Sequence, residues 1–306
     1  MSRQSSRLER LDSRAARRWA IATRVAFATH RAEIDELNVF PVPDRDTGTN
    51  LYMTLDTALE AAREASRGSA QGAEPTLAGD AAALARACLL AARGNSGVIL
   101  SQLVRGLSEV IAEAAGRGIG GMRGLAGIDA PTLALAVRRA SDRAYASVTR
   151  PVEGTILSVA AAAAGAAELA VAKGSDLYAV VHASLAAARV ALAATTAQLP
   201  SLSRAGVVDA GGMGYVLVLE ALERVSAGEL GTDPRPVRGA RSRPLGYPTS
   251  TRESHGGEAA EPAYESMSLL SERTESAGSS LRGRLGERGA AALVVGGDDH
   301  GCVQAA

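Results

Sequence analysis

Cysteine, aromatic side chains and net charge are all scarce in this chain. Two cysteines occur in 306 residues, Cys88 and Cys302, with no CxxC pair. That argues against both a disulfide framework and a cysteine-rich zinc site. Cys88 lies in "LARACLLAARG", an apolar helical context in which a reduced, buried thiol is expected. The 33 basic and 33 acidic side chains cancel, which removes net charge as a means of holding nucleic acid. Lys173 is the only lysine; it follows Ala172 and precedes Gly174, so there is no Walker A loop. The opening "MSRQSSRLERLDSRAARRWA" is arginine-rich but carries Glu9 and Asp12 and lacks an apolar centre, unlike a secretory or transit peptide. No apolar run is read as long enough to span a bilayer. The expectation is a cytoplasmic protein without a nucleic-acid partner or a membrane span.

Alanine and helical periodicity are what the chain does have. Residues 14 to 36 form an amphipathic pattern with Trp19, Ile21, Val25 and Phe27 among its apolar positions. Pro41 and Pro43 end it, because proline lacks the N–H donor and restrains the residue before it. Helical texture returns over 50 to 66. After a Gly/Ser/Pro-bearing loop come "AAALARACLLAARG" and "SGVILSQLVRGLSEVIAEAAGRG", which meet at Arg93 to Gly97. Past the "RGIGGMRGLAGIDA" loop, Asp129 is placed to cap a helix over 131 to 148. Three further helical stretches run to about residue 228. The expected fold is an all-α antiparallel bundle of roughly eight helices over residues 1–228. Residues 229–261, rich in Pro, Gly, Arg and Ser, are expected to be a disordered linker. Residues 262–306 resemble the opening of an α/β unit: a strand, a helix over 276 to 288 and the strand "AALVVGG", after which the pattern stops. About 40 residues are too few for an independent core without staples.

Four glycine-bearing turns punctuate the bundle: "PDRDTGTN", "ARGNSGV", "PVEGTIL" and "VVDAGGMG". Each taken alone reads as a helix cap. Together they repeat one theme, small polar residues at a helix start, where unpaired N–H groups favour an anion. Asp44 and Asp46 add two carboxylates on one constrained turn, suited to a hard cation shared with substrate phosphates. An EF-hand is excluded: with Asp44 at position 1, Gly48, Thr49 and Leu55 occupy positions 5, 6 and 12. His30 and His182 fall within helices and read as ordinary helix positions. HExxH and GxSxG are absent, so covalent catalysis finds no support.

These turns, in this order, resemble the nucleotide-binding domain of the dihydroxyacetone kinase L (DhaL) family. More closely, "LNVFPVPDRDTGTN", "ARGNSGVILSQLVRG", "PVEGTILSV" and "LPSLSRAGVVDAGGMGYVLVLEAL" resemble the N-terminal, DAK2-type domain of bacterial fatty acid kinase, over residues 14 to 226. The resemblance implies an eight-helix antiparallel barrel holding ATP or ADP and two Mg²⁺ in the loops at one end. It places Asp44 and Asp46 as metal ligands, with Asn38 near a further ligand position. Thr47, Gly48, Thr49 and Asn50, with Gly94, Asn95, Ser96 and Gly97, match phosphate-contacting turns. Thr155, Asp209, Gly211 and Gly212 match further nucleotide-side loops, and no catalytic residue is implied beyond the metal site. The implied reaction is phosphoryl transfer to a fatty acid carboxylate presented by a separate, DegV-like fatty-acid-binding partner; a homodimer is also compatible. A dihydroxyacetone kinase-type subunit, or a nucleotide-binding remnant without catalysis, stand as alternatives. Two departures bear on these expectations. Arg45 occupies the family's glycine between the aspartates, and "HGCVQAA" does not continue the family's middle domain, which makes the chain look truncated. An arginine there is strained if the position requires φ > 0.

Overall fold

The computed structural model describes residues 7–68, 76–116 and 127–229, and strands at 266–271, 292–296 and 300–305. Nine helices stand among the described residues: α1 (Ser13–Leu37), α2 (Thr47–Gly68), α3 (Leu77–Ala91), α4 (Gly94–Gly116), α5 (Ala130–Ser147), α6 (Ile156–Ala172), α7 (Leu177–Gln198), α8 (Pro200–Ala205) and α9 (Ala210–Ser226). Each long helix packs on the next, and α9 closes on α1, so the eight long helices form a ring. The all-α expectation is met. The ninth helix, α8, is a six-residue piece that proline starts and Gly206 ends, the latter at φ 68°. Sequence periodicity misses it because one and a half turns show no period.

Local chemistry accounts for most helix starts. Asp12, Asp129, Asp176 and Asp209 each accept a hydrogen bond from the backbone N–H three residues on, and Thr76 and Thr155 cap α3 and α6. Asp129 therefore caps α5 as its sequence position predicts. Ala160, Ala163, Ala164 and Ala167 are buried along α6 and lack bulk, which lets neighbouring helices approach closely. Phe27, Leu51, Met213 and Leu217 lie in the main core, and Leu11, Ile128, Leu133 and Leu177 in a second cluster. The N-terminal segment straps the second cluster: Leu8 N–H donates to the Ser226 carbonyl at 2.8 Å, and Leu11 pairs with Ile128. Between α1 to α5 and α9 lies a cavity of about 710 Å³, lined mostly by apolar groups such as Leu59, Leu84, Leu107 and Tyr215.

One sequence expectation needs correction here. Leu177–Gln198 is long and apolar enough, by length and composition, to cross a membrane. Arg189 interrupts it only once, which is why a search for uninterrupted apolar runs passes over it. Its Val180, Val181, Leu185, Ala188 and Leu192 are nevertheless buried in the bundle, the pattern of a core helix.

Three strands, β1 (Ser266–Ser271), β2 (Ala292–Gly296) and β3 (His300–Ala305), pair antiparallel in the order β1-β3-β2. β2 falls within the expected strand "AALVVGG". The central strand is "HGCVQA", the stretch that did not match the family pattern. The expected helix over 276 to 288 and the expected linker, but for its first residue, lie outside the described residues.

Candidate functional site

The corner between α1 and α2 builds the site's first half. Asn38, the residue after α1, is buried and uses its whole amide. Its Oδ1 accepts from Asp46 N–H (3.2 Å), Thr47 N–H (3.1 Å) and the Thr47 hydroxyl (2.8 Å), and its Nδ2 donates to the Val42 carbonyl (2.9 Å). The side chain drawn from sequence as a metal-ligand neighbour thus organises the turn from behind. Gly48 presses α2 against α1, where a Cβ would run into the Arg31 carbonyl oxygen and the Ile34 side chain. Only glycine allows that approach.

Asp44 and Asp46 bring their carboxyl groups together on this turn. Partial burial, then the charge of Asp46 and a side-chain contact with it, push the Asp44 carboxyl up to about 6. Two carboxylates held this way repel, and a cation between them relieves the cost. The donor set therefore fits a hard divalent ion that keeps several waters. Among the described residues, no three His, Cys, Asp or Glu side chains converge into an all-protein metal cage.

Arg45, between them, sits at φ 58°, the only non-glycine residue with positive φ among those described. The strain expected from sequence is present. Replacing Arg45 with glycine should stabilise the fold by about 1 kcal/mol, the relief of 1–3 kcal/mol of strain less the flexibility glycine adds to the unfolded chain. Urea unfolding of the two proteins checks this.

The second motif joins the first directly. Gly94 begins α4 at φ 58°, and a Cβ there would strike the Asn50 side-chain amide. Ser96 Oγ donates to Thr47 Oγ1 at 3.4 Å, and Arg93 N–H donates to Thr54 Oγ1 at 3.1 Å. The third and fourth motifs are joined by Asp209. Its carboxylate accepts from Gly212 N–H at 2.7 Å and from Ile156 N–H, tying the starts of α9 and α6 together. Complete burial, opposed by those two N–H groups, pushes Asp209 up to about 6. The Thr155 hydroxyl donates to the Val152 carbonyl at 2.8 Å and accepts from Leu157 N–H at 3.4 Å. Gly211 packs on Ile156, and Gly214 of α9 meets Leu51 of α2, so the two halves adjoin.

The starts of α2, α4, α6 and α9 therefore gather at one end of the ring. They are not equivalent. The N–H groups of Thr47 and Thr49 are taken by side chains from α1 and the residue after it, Asp209 occupies the starts of α6 and α9, and α4 opens on Gly94-Asn95-Ser96-Gly97. The expected residues are brought together, but Asp209, Thr155, Thr47 and Thr49 act first as internal fasteners. Asp35 was not anticipated. It accepts from both the N–H (2.9 Å) and the hydroxyl (2.8 Å) of Thr49. Its only sequence signal was its place three residues before Asn38. The expected ordinary roles of His30 and His182 hold: each pairs with a glutamate, Glu33 at 2.8 Å and Glu223 at 2.6 Å. Cys88 is buried and free, and burial pushes its thiol up to about 12.

Comparison with known proteins gives one family model and several relatives. The model of the DAK2 domain matches residues 41–224. Protein YloV of Bacillus subtilis is 37% identical over 219 residues, which are 72% of this chain and 36% of that protein. An uncharacterized protein of Staphylococcus saprophyticus is 35% identical over 202 residues, covering 66% of this chain and 33% of its own length. Another, from Staphylococcus haemolyticus, is 37% identical over 196 residues, covering 64% and 32%. The chain thus spans about a third of the length of the curated relatives it matches.

Proposed function

The chain belongs to the DAK2 domain family, and from that premise we propose that it binds a magnesium–nucleotide complex at the gathered helix starts and serves phosphoryl transfer. One observation carries the reading. The paired carboxylates of Asp44 and Asp46 stand on the same corner as the start of α4, which Ser96 ties to Thr47 and whose first turn carries no acidic residue, so the positive end of the helix faces the turn. A cation site and an anion site adjoin, which is what a metal–polyphosphate needs.

In this reading Asp44 and Asp46 hold magnesium, and Gly94 to Gly97 receive the phosphates. Bound magnesium supplies charge neutralisation on the transferring phosphoryl group. The chain's own part is positioning: Asn38 fixes the carboxylate turn, and Asp209 keeps α6 and α9 in register beside it. The acceptor we favour is the carboxylate of a fatty acid presented by a DegV-like partner protein. Such a carboxylate is already a nucleophile, so the chain need not supply a general base. A second reading, nucleotide binding without transfer, is favoured by the strained Arg45 beside the carboxylates.

Calorimetric titration of the full chain with a non-hydrolysable ATP analogue tests the proposal, with and without Mg²⁺. Magnesium-dependent binding is expected, and no binding by folded protein would overturn it. Acyl-phosphate formation with a supplied lipid-loaded partner then separates transfer from binding alone.

The pH dependence has a definite sign. Asp44 is raised from 3.8 to about 6, so the fold prefers its protonated form and bears the cost of the ionised pair above that pH. Stability from this group is full below about pH 4 and is lost as pH rises through about 6. A divalent ion needs both carboxylates charged. Its stabilising effect should therefore be large at about pH 7.5 and shrink toward pH 5, read as the melting-temperature shift on adding Mg²⁺.

A further inference from the structure

The start of α2 is capped differently from the other helices with an N-cap aspartate among the described residues. Asp46 stands at its N-cap, since Asn50 N–H donates to the Asp46 carbonyl at 2.7 Å. An aspartate at this position ordinarily gives its carboxylate to the N–H two or three residues on. Asp12, Asp129, Asp176 and Asp209 all do so, accepting from Ala15, Thr132, Ala179 and Gly212. The matching donor for Asp46 is Thr49 N–H, and it goes to Asp35 instead, together with the Thr49 hydroxyl. Asp35 lies in the last turn of α1, which has no basic residue and where a carboxylate opposes the helix dipole. The start of α2 supplies the favourable field that α1 denies it.

We propose that Asp35 is a positioning residue of the carboxylate turn: by capping α2 in place of Asp46, it leaves the Asp46 carboxylate beside Asp44 to hold a divalent cation. This rests on reading the turn as a cation site. Asp35 belongs to no convergent group of three acidic side chains among the described residues, so it acts through Thr49 rather than as a further ligand. Because the Thr49 hydroxyl proton is committed to Asp35, that hydroxyl has no proton left to donate to a phosphate.

Two measurements on the full chain test this. The first is independent of any cation. If Asp35 caps α2, Asp46→Ala leaves the urea midpoint at or above that of the unchanged protein, whereas Asp129→Ala lowers it. Equal losses from the two variants would show that Asp46 caps its own helix and would overturn the inference. The second uses Mn²⁺ alone, followed by electron paramagnetic resonance. Asp35→Ala should weaken binding by about 10-fold, because Thr49 N–H then recruits Asp46, a size expected for an outer-shell partner. Asp35→Asn, which keeps an acceptor for that N–H, should stay within about threefold. Equal weakening by both variants would assign the effect to the charge of Asp35, and no weakening by either would leave it without a role; both results overturn the inference. Absence of Mn²⁺ binding by the unchanged, folded chain would sink the cation reading itself, while the urea comparison would still judge the cap.

Discussion

Asp46→Asn should weaken magnesium-dependent nucleotide binding by at least about 100-fold while leaving the helices folded. The magnitude follows from ligand chemistry: outer-shell partners of a bound metal are already worth roughly 10–100-fold, and the proposed site puts Asp46 in the inner set. Asparagine keeps the shape of the side chain and removes the charge, so a change in binding reports on the carboxylate. The backbone of the turn should survive, because Asn38 and Asp35 secure Asp46 N–H, Thr47 N–H and Thr49 N–H without the Asp46 side chain. Titration with the ATP analogue in magnesium and in chelator is the required pair. The loss must appear in magnesium only. A variant that binds as tightly as the unchanged protein in magnesium would remove Asp46 from the site.

Phe27→Ala should be the most damaging single truncation for the fold, at about 3–5 kcal/mol. Phe27 is fully buried and is one of two phenylalanines in the chain. It sits where α1 closes the ring against α9, within reach of the Gly214 approach to Leu51. The surrounding interior is rich in alanine and leucine, and close-packed alanines have no side chain with which to fill a void. For a domain of this size each kcal/mol moves the melting temperature by roughly 2–4 °C, so a drop of roughly 10 °C is expected. A fall of less than about 3 °C in a thermal scan would mean that the α1–α9 seam closes over the gap. Because the seam lies beneath the starts of α2 and α9, nucleotide affinity should fall with stability.

Much of this architecture was legible in the sequence. Helix texture, the proline stop at Pro41 and Pro43, and the Asp129 cap are local matters, settled within one or two turns of chain. The strain at Arg45 was legible too, because a family glycine marks a position where φ is positive. The interlocked duties of Asp35, Asn38 and Asp209 were not. Their partners are 14, 9 and 53 residues away (Asp35 to Thr49, Asn38 to Thr47, Asp209 to Ile156), and no periodicity connects them. α8 escaped notice because it is too short to show a period, and "HGCVQA" because its pairing as a central strand depends on partners on both sides.

By itself, then, the sequence determined the long helices, the Asp129 cap, and which turns carry small polar residues and paired carboxylates. Those features follow from side-chain chemistry acting over a few residues. Only the tertiary structure decided which side chains take up the N–H groups at the helix starts. That choice depends on a carboxylate from the end of one helix reaching the start of the next, and on Gly48 letting the two helices come close enough for it to do so.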